Sequence, residues 1–450
     1  MTYPRYQNHR PSGISWIGEV PEGWGLKPLG GLVRIVGGGT TNKARPDYWV
    51  GSIPWVSPKD FTSDWIDCAE DHISEEALRS SATKLIPRGS ALVVVRSGIL
   101  RRTIPVALNR VPVALNQDVK ALIPTSSSAS VDFLRWFIRG HEDVLLTTCR
   151  HQGATVESLE VFSLRKIPIP HPPPPEQAVI SAFLDAKTAE IDALIAKKEG
   201  LVRLLEEKRS ALIAHAVTRG LDPGAPMKAS GSPLIGKIPK TWAMIKLGYL
   251  ARVLNGSTPL REEARYWDRP SFPWLTSGKV HEERIREADQ HVSSDAVREC
   301  HLPLIPAGSV LVAITGEGKT RGTAALLEFE STISQHLAAL IPGRRVRAEF
   351  LWRYLSSLYG WLRSESSGGG STKAAITCEF LRSVSIALPP VEEQGIICAE
   401  LTRRTADIDE LRRKVHLAID RLREYRTALI SAAVTGKIDV RSITPTAPCQ

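Results

Sequence analysis

The stretch WIGEVPEGW, Trp16 to Trp24, returns as LIGKIPKTW, Leu234 to Trp242, with the closing tryptophans 218 residues apart in a chain of 450. The correspondence continues outward from this phrase. KPLG ending at Gly30 matches IKLG ending at Gly248, and Tyr48–Trp49 matches Tyr266–Trp267, both at 218. IPRGSALVVVRSG from Ile86 matches IPAGSVLVAITG from Ile305 at 219. Gln117 matches Gln335, Gln177 matches Gln394, and the AVT ending at Thr218 matches the AVT ending at Thr435 at 217. A drift of one or two residues over this distance means two homologous halves separated by single-residue insertions and deletions. Internal repetition of this kind dictates the architecture before any local reading does.

Each half opens with a mixed region of about 150 residues. Short apolar runs such as ALVVV (Ala91–Val95) and SVLVAI (Ser309–Ile314) read as strands, and VDFLRWFIRG and AEFLWRYLSS read as short helices between Gly- and Pro-rich turns. This is an α+β domain. After IPHPPPPEQ and LPPVEEQ, a proline-free run extends to Val217 in the first half and Val434 in the second. Proline before a helix is tolerated because the first-turn N–H groups lack helical partners. Glu176–Gln177 and Glu393–Gln394 then form that first turn, where carboxylates complement the helix dipole.

In the second run Leu401, Arg404, Ile408, Leu411, Val415, Ala418, Leu422, Tyr425 and Leu429 follow steps of three and four, the heptad spacing of a packing seam. The first run carries Leu184, Lys187, Ile191, Leu194, Lys198, Leu201, Leu205, Lys208 and Leu212 in the same register. A helix of about 40 residues, roughly 60 Å long, does not hide such a stripe alone in water. The economical partner of each is its copy, packed as an antiparallel coiled coil with pseudo-twofold symmetry. Folding each helix onto its own domain is the alternative.

The chain carries a net charge of +10 and a pI of about 9.3, a balance that favours a polyanionic partner. Its six cysteines (Cys68, Cys149, Cys300, Cys378, Cys398 and Cys449) form no CxxC pair, which argues against a zinc site or a disulfide framework and fits a reducing cytosol. MTYPRYQNHRPSG has no apolar run resembling a signal peptide, and no segment reaches the length of a membrane span. The reading is a cytoplasmic protein.

Chemistry is hard to find. Pro172–Pro175 and Pro389–Pro390 lack the amide and the aromatic with which an amino-methyltransferase holds a flipped base. TGEGKT (Thr315–Thr320) imitates the end of a phosphate loop, but the glycine required five residues before Gly318 is Ala313. Basic loops are plentiful instead. TTNKARPDYW carries Lys43 and Arg45, STPLREEARYW carries Arg261 and Arg265, and RSGILRRT carries Arg96, Arg101 and Arg102. Lys319 and Arg321 occupy the corresponding second-half loop; Arg150 and Gln152 precede GAT, Lys373 follows GST, and Lys59 and Lys279 follow the strands ending in PW. Arg and Asn in such loops suit phosphates and the guanine and adenine edges of the major groove, while a solvated loop charge is the alternative at each position. Trp24, Trp55, Trp242 and Trp274 read as core anchors.

Taken with YWVGSIPWVSPKDF (Tyr48–Phe61), NQDVKALIP (Asn116–Pro124), QGATVESL (Gln152–Leu159), PPPPEQAVI (Pro172–Ile180) and LISAAVTGKIDV (Leu429–Val440), the two opening phrases resemble the specificity (S) subunits of type I restriction–modification systems. The resemblance spans the whole chain. It implies a target recognition domain at 1–172, a central helix and spacer at 173–222, a second recognition domain at 223–389, a C-terminal helix at 390–440 and a tail at 441–450. It also implies that the two domains read an asymmetric, bipartite site in double-stranded DNA. The helices would space them and dock two methyltransferase subunits, restriction subunits would join the full complex, and S-adenosylmethionine would sit on the methyltransferase partners, leaving this chain without catalysis or cofactor. GGGTTNKARPDYW against NGSTPLREEARYW, and RSGILRRT against TGEGKTRG, suggest that the halves read different sequences. A coiled-coil scaffold that reads no DNA and a self-sufficient modifying enzyme remain as alternatives.

Overall fold

The run Ala91–Val95 is apolar at every position rather than at alternate ones, the mark of a strand covered on both faces. In the computed structural model, which describes residues 3–151, 156–268, 270–316, 318–366 and 375–443, it forms the strand Ala91–Val94. Ala91, Val93 and Val95 enter a core with Phe133, Trp136 and Phe137 of the helix Val131–Gly140, while Leu92 and Val94 join a second core with Val56, Ile66 and Leu115. Each such fully buried side chain contributes roughly 1.5–3 kcal/mol. In the second half Val310 and Val312 meet Phe350 and Tyr354, while Leu311 and Ala313 meet Leu275 and Ile333.

Packing gathers the chain into two units, Met1–Glu199 with Leu417–Gln450, and Gly200–His416. The first holds a five-stranded sheet in the order Val33–Gly37, Val119–Pro124, Ala91–Val94, Val106–Asn109 and Trp65–Ile66. Its pairs are antiparallel except the last, which is parallel. A three-stranded sheet runs Ala114–Leu115, Ile53–Val56 and Asp71–Ile73. The second unit repeats both sheets, with the five-stranded order Ala251–Asn255, Leu337–Pro342, Val310–Ala313, Ala324–Leu327 and Arg284–Ile285.

The opening phrase belongs to the core. Ile17, Val20 and Trp24 are buried, as are Ile235, Ile238 and Trp242, and Gly18 and Gly236 turn the chain with φ of +76° and +73°. Trp55 Nε1 donates to the Gly39 carbonyl (3.0 Å) and Trp274 Nε1 to the Ser257 carbonyl (3.1 Å), so these two anchor the glycine-bearing loops as well as the core.

The long helices are Pro174–Arg219 and Val391–Val434, starting beside the boundaries at 172 and 389. The units divide inside them, however, because the two halves of each helix pack in different units. Within the first unit Arg426 pairs with Asp192 (2.9 Å) and Arg423 with Glu199 (2.9 Å); within the second Arg412 pairs with Glu206 (2.8 Å) and Arg209 with Asp409 (3.2 Å). Numbers rise along one helix as they fall along the other, so the packing is antiparallel in both units.

The seam differs from the expected one at every second position. Leu184, Ile191, Leu205, Leu401, Ile408, Val415 and Leu429 are buried and Leu212 and Leu422 half-buried, but Leu194, Leu201, Leu411 and Tyr425 are exposed. The steps run four then three, through Thr188, Ile195, Val202 and Arg209 in the first helix and Thr405, Arg412, Ile419 and Arg426 in the second. Burial of a threonine costs little when its hydroxyl is satisfied, and Thr188 and Thr405 donate to the Leu184 and Leu401 carbonyls (2.6 and 2.7 Å). The arginines reach the facing carboxylates, an arrangement that fixes register at some cost in strength.

Gln177 and Gln394, 1% and 0% exposed, do more than occupy a first turn. Gln177 Oε1 accepts from Ser130 N (2.8 Å), while its Nε2 donates to the Ser128 and Pro172 carbonyls (2.9 and 2.8 Å). Gln394 repeats all three bonds with Arg347 N (2.7 Å) and the Arg345 and Pro389 carbonyls (both 3.0 Å). Each amide ties its long helix to the loop opening the recognition-domain helix. The neighbouring carboxylates accept from Tyr6 (2.6 Å) and from Trp242 Nε1 (3.0 Å).

The long helices end at Arg219 and Val434, with Gly220 and Gly436 just beyond at φ of +79° and +72°. In the second unit residues 220–226 lead directly from the helix into Met227–Ala229, which pairs with Lys237–Pro239. The equivalent ladder in the first unit, His9–Pro11 with Glu19–Pro21, is approached from both chain ends. Asp439 N donates to the Pro4 carbonyl (2.8 Å), His9 Nε2 lies 3.1 Å from the Gly436 carbonyl, and Val440 is fully buried.

Two outcomes are expected. Gln394→Leu leaves the Arg347 amide without its acceptor at a cost of about 1–3 kcal/mol, so its hydrogen exchange accelerates at least fivefold; unchanged exchange refutes the clamp. Deleting residues 436–450 raises exchange at least tenfold across Tyr6–Trp24 and leaves Ile238–Trp242 untouched, a contrast readable by the same measurement.

Candidate nucleic-acid interface

One end of the five-stranded sheet gathers the loops in each unit. In the first, Val33–Gly37 ends beside the start of Val119–Pro124 and the end of Ala91–Val94. Gly38 is required there, because a Cβ would lie 2.1 Å from the Asn116 carbonyl oxygen and 2.2 Å from that of Leu115. Gly39 N then donates to the Leu115 carbonyl (2.9 Å), and the Thr40 hydroxyl bonds the Gln117 side chain. Val95 N donates to the Asp118 carbonyl (2.8 Å), and Ser97 N to the Glu157 carbonyl (3.0 Å). Residues 37–42, 96–102, 116–118, 150–151 and 156–158 thereby share one surface.

The same end recurs in the second unit with other side chains. Gly256 takes the place of Gly38, with a Cβ 2.0 Å from the Ile333 carbonyl oxygen. Ile314 N donates to the His336 carbonyl (2.9 Å), and Thr315 Oγ1 lies 2.7 Å from His336 Nδ1. The following loop is held by Arg363, which donates to the Gly318 carbonyl (2.6 Å), and by Tyr359, which donates to that of Lys319 (3.0 Å).

The expected basic residues separate into groups. Lys43, Arg96, Arg102 and Lys319 are exposed, with no ion pair among the described residues. Arg101 and Arg150 lie on the same surface and both pair with Glu157 (3.2 and 3.0 Å). Such exposed pairs are worth about 0–1 kcal/mol and exchange readily for a stronger anion. Arg45 instead grips Asp47 and stacks 4.5 Å from the Tyr48 ring, and its guanidinium holds the Asp47 carboxyl below the usual carboxylate range. Lys59 bonds Asp71 (2.9 Å) and Glu70 (3.0 Å), which raise its ammonium above the ordinary lysine value. Arg265 pairs with Glu299 and Glu263, and Lys279 with Glu282. Arg261 bonds Gln290 and lies 4.0 Å from the Trp267 ring.

Arg321 departs from the expectation of a DNA-facing cation, being only 6% exposed. The loop turns at Gly322 (φ +84°) against Tyr359 and Arg363, which carries Arg321 inward. Gln152 and Lys373 lie outside the described residues. The surface also includes residues that charge counting passes over: Thr40, Gln117, Thr315, Gln335 and His336. The matched glutamines at 117 and 335, each entering a strand, were the available signal. Together these groups offer amide, hydroxyl, imidazole and guanidinium edges, the donors and acceptors that suit phosphates and base edges. Among the described residues no cluster of His, Cys, Asp and Glu suits a metal, and no helix is long and apolar enough to cross a membrane.

Comparison with known proteins agrees with this duplicated arrangement. The family described as type I restriction modification DNA specificity domain matches residues 21–202 and again 239–419. The EcoR124I/EcoR124II specificity subunit of Escherichia coli is 39% identical over 208 residues, 46% of this chain and half the length of that relative. The putative MjaX specificity subunit of Methanocaldococcus jannaschii is 23% identical over 435 residues, 95% of this chain and 96% of the relative. In fold, a chain from a solved type I R-M system superposes with a TM-score of 0.72 at 18% identity, covering 92% of this chain and 98% of the other. The HsdS subunit from Thermoanaerobacter tengcongensis gives 0.52 at 19% identity, over 93% and 98%. With a specificity domain matched in each half and most of the chain covered, this protein belongs to the specificity subunits of type I restriction–modification systems.

Proposed function

We propose that the chain is the DNA-reading, non-catalytic subunit of its complex, and that each unit reads one half of a bipartite, asymmetric site. The observation that carries this reading is the loop surface that recurs at the same sheet end in both units with different side chains. Arg96, Arg101, Arg102 and Arg150 furnish the first, and Thr315, Lys319, Gln335 and His336 the second. One scaffold with two chemistries suits two different half-sites. In the first unit arginines address phosphates and guanines; in the second, mixed donors and acceptors meet their bases.

The long helices serve as spacer and docking surface. Exposed apolar residues recur along them at the repeat distance, Val179 with Ile396 and Leu194 with Leu411, 217 residues apart. Equivalent patches in the two halves suit two copies of one partner, the methyltransferase subunit, which would bring S-adenosylmethionine. Restriction subunits complete the endonuclease. The decisive experiment co-expresses the chain with its methyltransferase and maps methylated bases. A split motif that depends on both proteins supports the proposal. Methylation by this chain alone rules it out, and methylation indifferent to loss of residues 1–172 favours a scaffold.

Two further outcomes are expected. Arg96→Ala with Arg102→Ala in the assembled complex lowers the slope of log affinity against log salt by about one for each phosphate no longer neutralised, or relaxes one base of the first half-site. Unchanged slope and motif remove these residues from the interface. Four residues inserted in both long helices add about 6 Å and lengthen the unread spacer by one or two base pairs; sequencing of methylated sites would expose an unchanged spacer and sink the ruler.

A further inference from the structure

Gln117 and Gln335 occupy the same turn at the sheet end, 218 residues apart, and both are exposed. Val119 N closes the first turn onto the Asn116 carbonyl (3.4 Å), and Leu337 N closes the second onto that of Ser334 (3.0 Å). The backbone is repeated, but the surroundings of the two amides are not.

In the first unit the Gln117 amide is held at both ends. Its Oε1 accepts from the Thr40 hydroxyl, which the bond from Gly39 N to the Leu115 carbonyl brings alongside. Its Nε2 donates to Asp118 Oδ2 (3.3 Å). That carboxylate is fixed in turn by Asn116, 5% exposed. Asn116 Nδ2 donates to Asp118 Oδ2 (3.4 Å), and its Oδ1 accepts from the Asp118 backbone N–H (3.0 Å). A carboxylate only accepts, so the nitrogen of the glutamine is the end that faces Asp118. One lone pair on Oε1 and one proton on Nε2 remain for a ligand.

In the second unit His336 replaces Asp118 and turns to Thr315, with 2.7 Å between Nδ1 and Oγ1. Thr258, the equivalent of Thr40, has its hydroxyl buried with no hydrogen-bond partner among the described residues. The Gln335 side chain makes no hydrogen bond among them either, so its amide is free to turn.

We propose that Gln117 reads an adenine of the first half-site, with Thr40 and Asp118 as positioning residues that fix which end of the amide accepts and which donates. Of the four bases only adenine sets a donor, N6–H, beside an acceptor, N7, on its major-groove edge. A pinned amide meets both at once. Against guanine its Oε1 faces the O6 oxygen, and neither atom can donate. Gln335, lacking both holds, discriminates less between the purines. This inference rests on the DNA-reading function proposed above.

The test uses the full chain in complex with its methyltransferase subunit. The native complex first maps the split motif; absence of one sinks the functional reading, whereas the outcomes below concern Gln117 alone. Competition binding then ranks duplexes carrying each base pair at every position of the first half-site. Gln117→Ala is expected to cut the preference at one position by about fivefold or more, and that position holds A·T in the native motif. The salt slope of binding stays unchanged, because an amide neutralises no phosphate. Loss at a G·C position, a lowered slope or an unaltered motif overturns the proposal. Thr40→Val is expected to lower the preference for A over G at that same position by about threefold or more, and Thr40→Ser to keep it within about twofold of native. Thr258→Val leaves every preference in the second half-site as it was. A Thr40→Val complex as selective as the native one, or equal losses from Thr40→Val and Thr258→Val, overturns the positioning. Should Gln117→Ala bind too weakly to rank the bases, the Thr40 substitutions decide.

Discussion

A helix of more than forty residues does not leave an apolar seam in water, and in this chain that constraint organises both units. Each unit takes half of each long helix, packed antiparallel, and builds its recognition domain against the pair. In the first unit Phe183, Leu184 and Ile191 share a core with Leu429, Ile430 and Trp136; in the second Ile213, Ala216 and Val217 share one with Ile397, Leu401 and Tyr354. The helix pair and the domain are thus one hydrophobic body in each unit. The buried amides of Gln177 and Gln394 add direction to that packing by satisfying three backbone groups at one defined angle of approach.

Polar residues inside the seam give it its register. Leu411 precedes the seam residue Arg412, as Leu194 precedes Ile195 and Leu201 precedes Val202, yet the leucines at 194, 201 and 411 face solvent. A seam of leucine throughout would be stronger and would accept several alignments. Paired arginines and carboxylates at Arg209–Asp409 and Arg426–Asp192 favour a single alignment, because a slip separates the charges. The displaced leucines remain as an apolar surface beside the seam.

The recognition surface follows from an economy of charge. Many basic side chains in the recognition domains are engaged by carboxylates, as Arg45, Lys59, Arg265 and Lys279 are, and these stiffen the small sheets and their turns. Among the exposed cations, Arg96, Arg102 and Lys319 lie in loops at the sheet end, where glycines let two backbones approach closely. Net charge signals that a polyanion is a partner, but ion pairing sorts which cations are available to it.

Duplication, the α+β character of each half, the long helices and the family were all legible in the residues, because repeats, hydrophobic runs and proline stops act locally along the chain. The opening tryptophans were legible as core for the same reason. The alternation of the seam was not: Leu194 and Ile195, or Leu201 and Val202, are equally apolar neighbours, and only the facing helix decides which turns inward. Nor was the inward turn of Arg321, set by Gly322 against Tyr359, or the neutralisation of Lys59 by residues eleven and twelve positions away. The sequence by itself determined that one fold occurs twice and what it is made of. Tertiary structure alone decided which of two adjacent side chains is buried and which charges remain free, because both depend on groups brought close in space from distant parts of the chain.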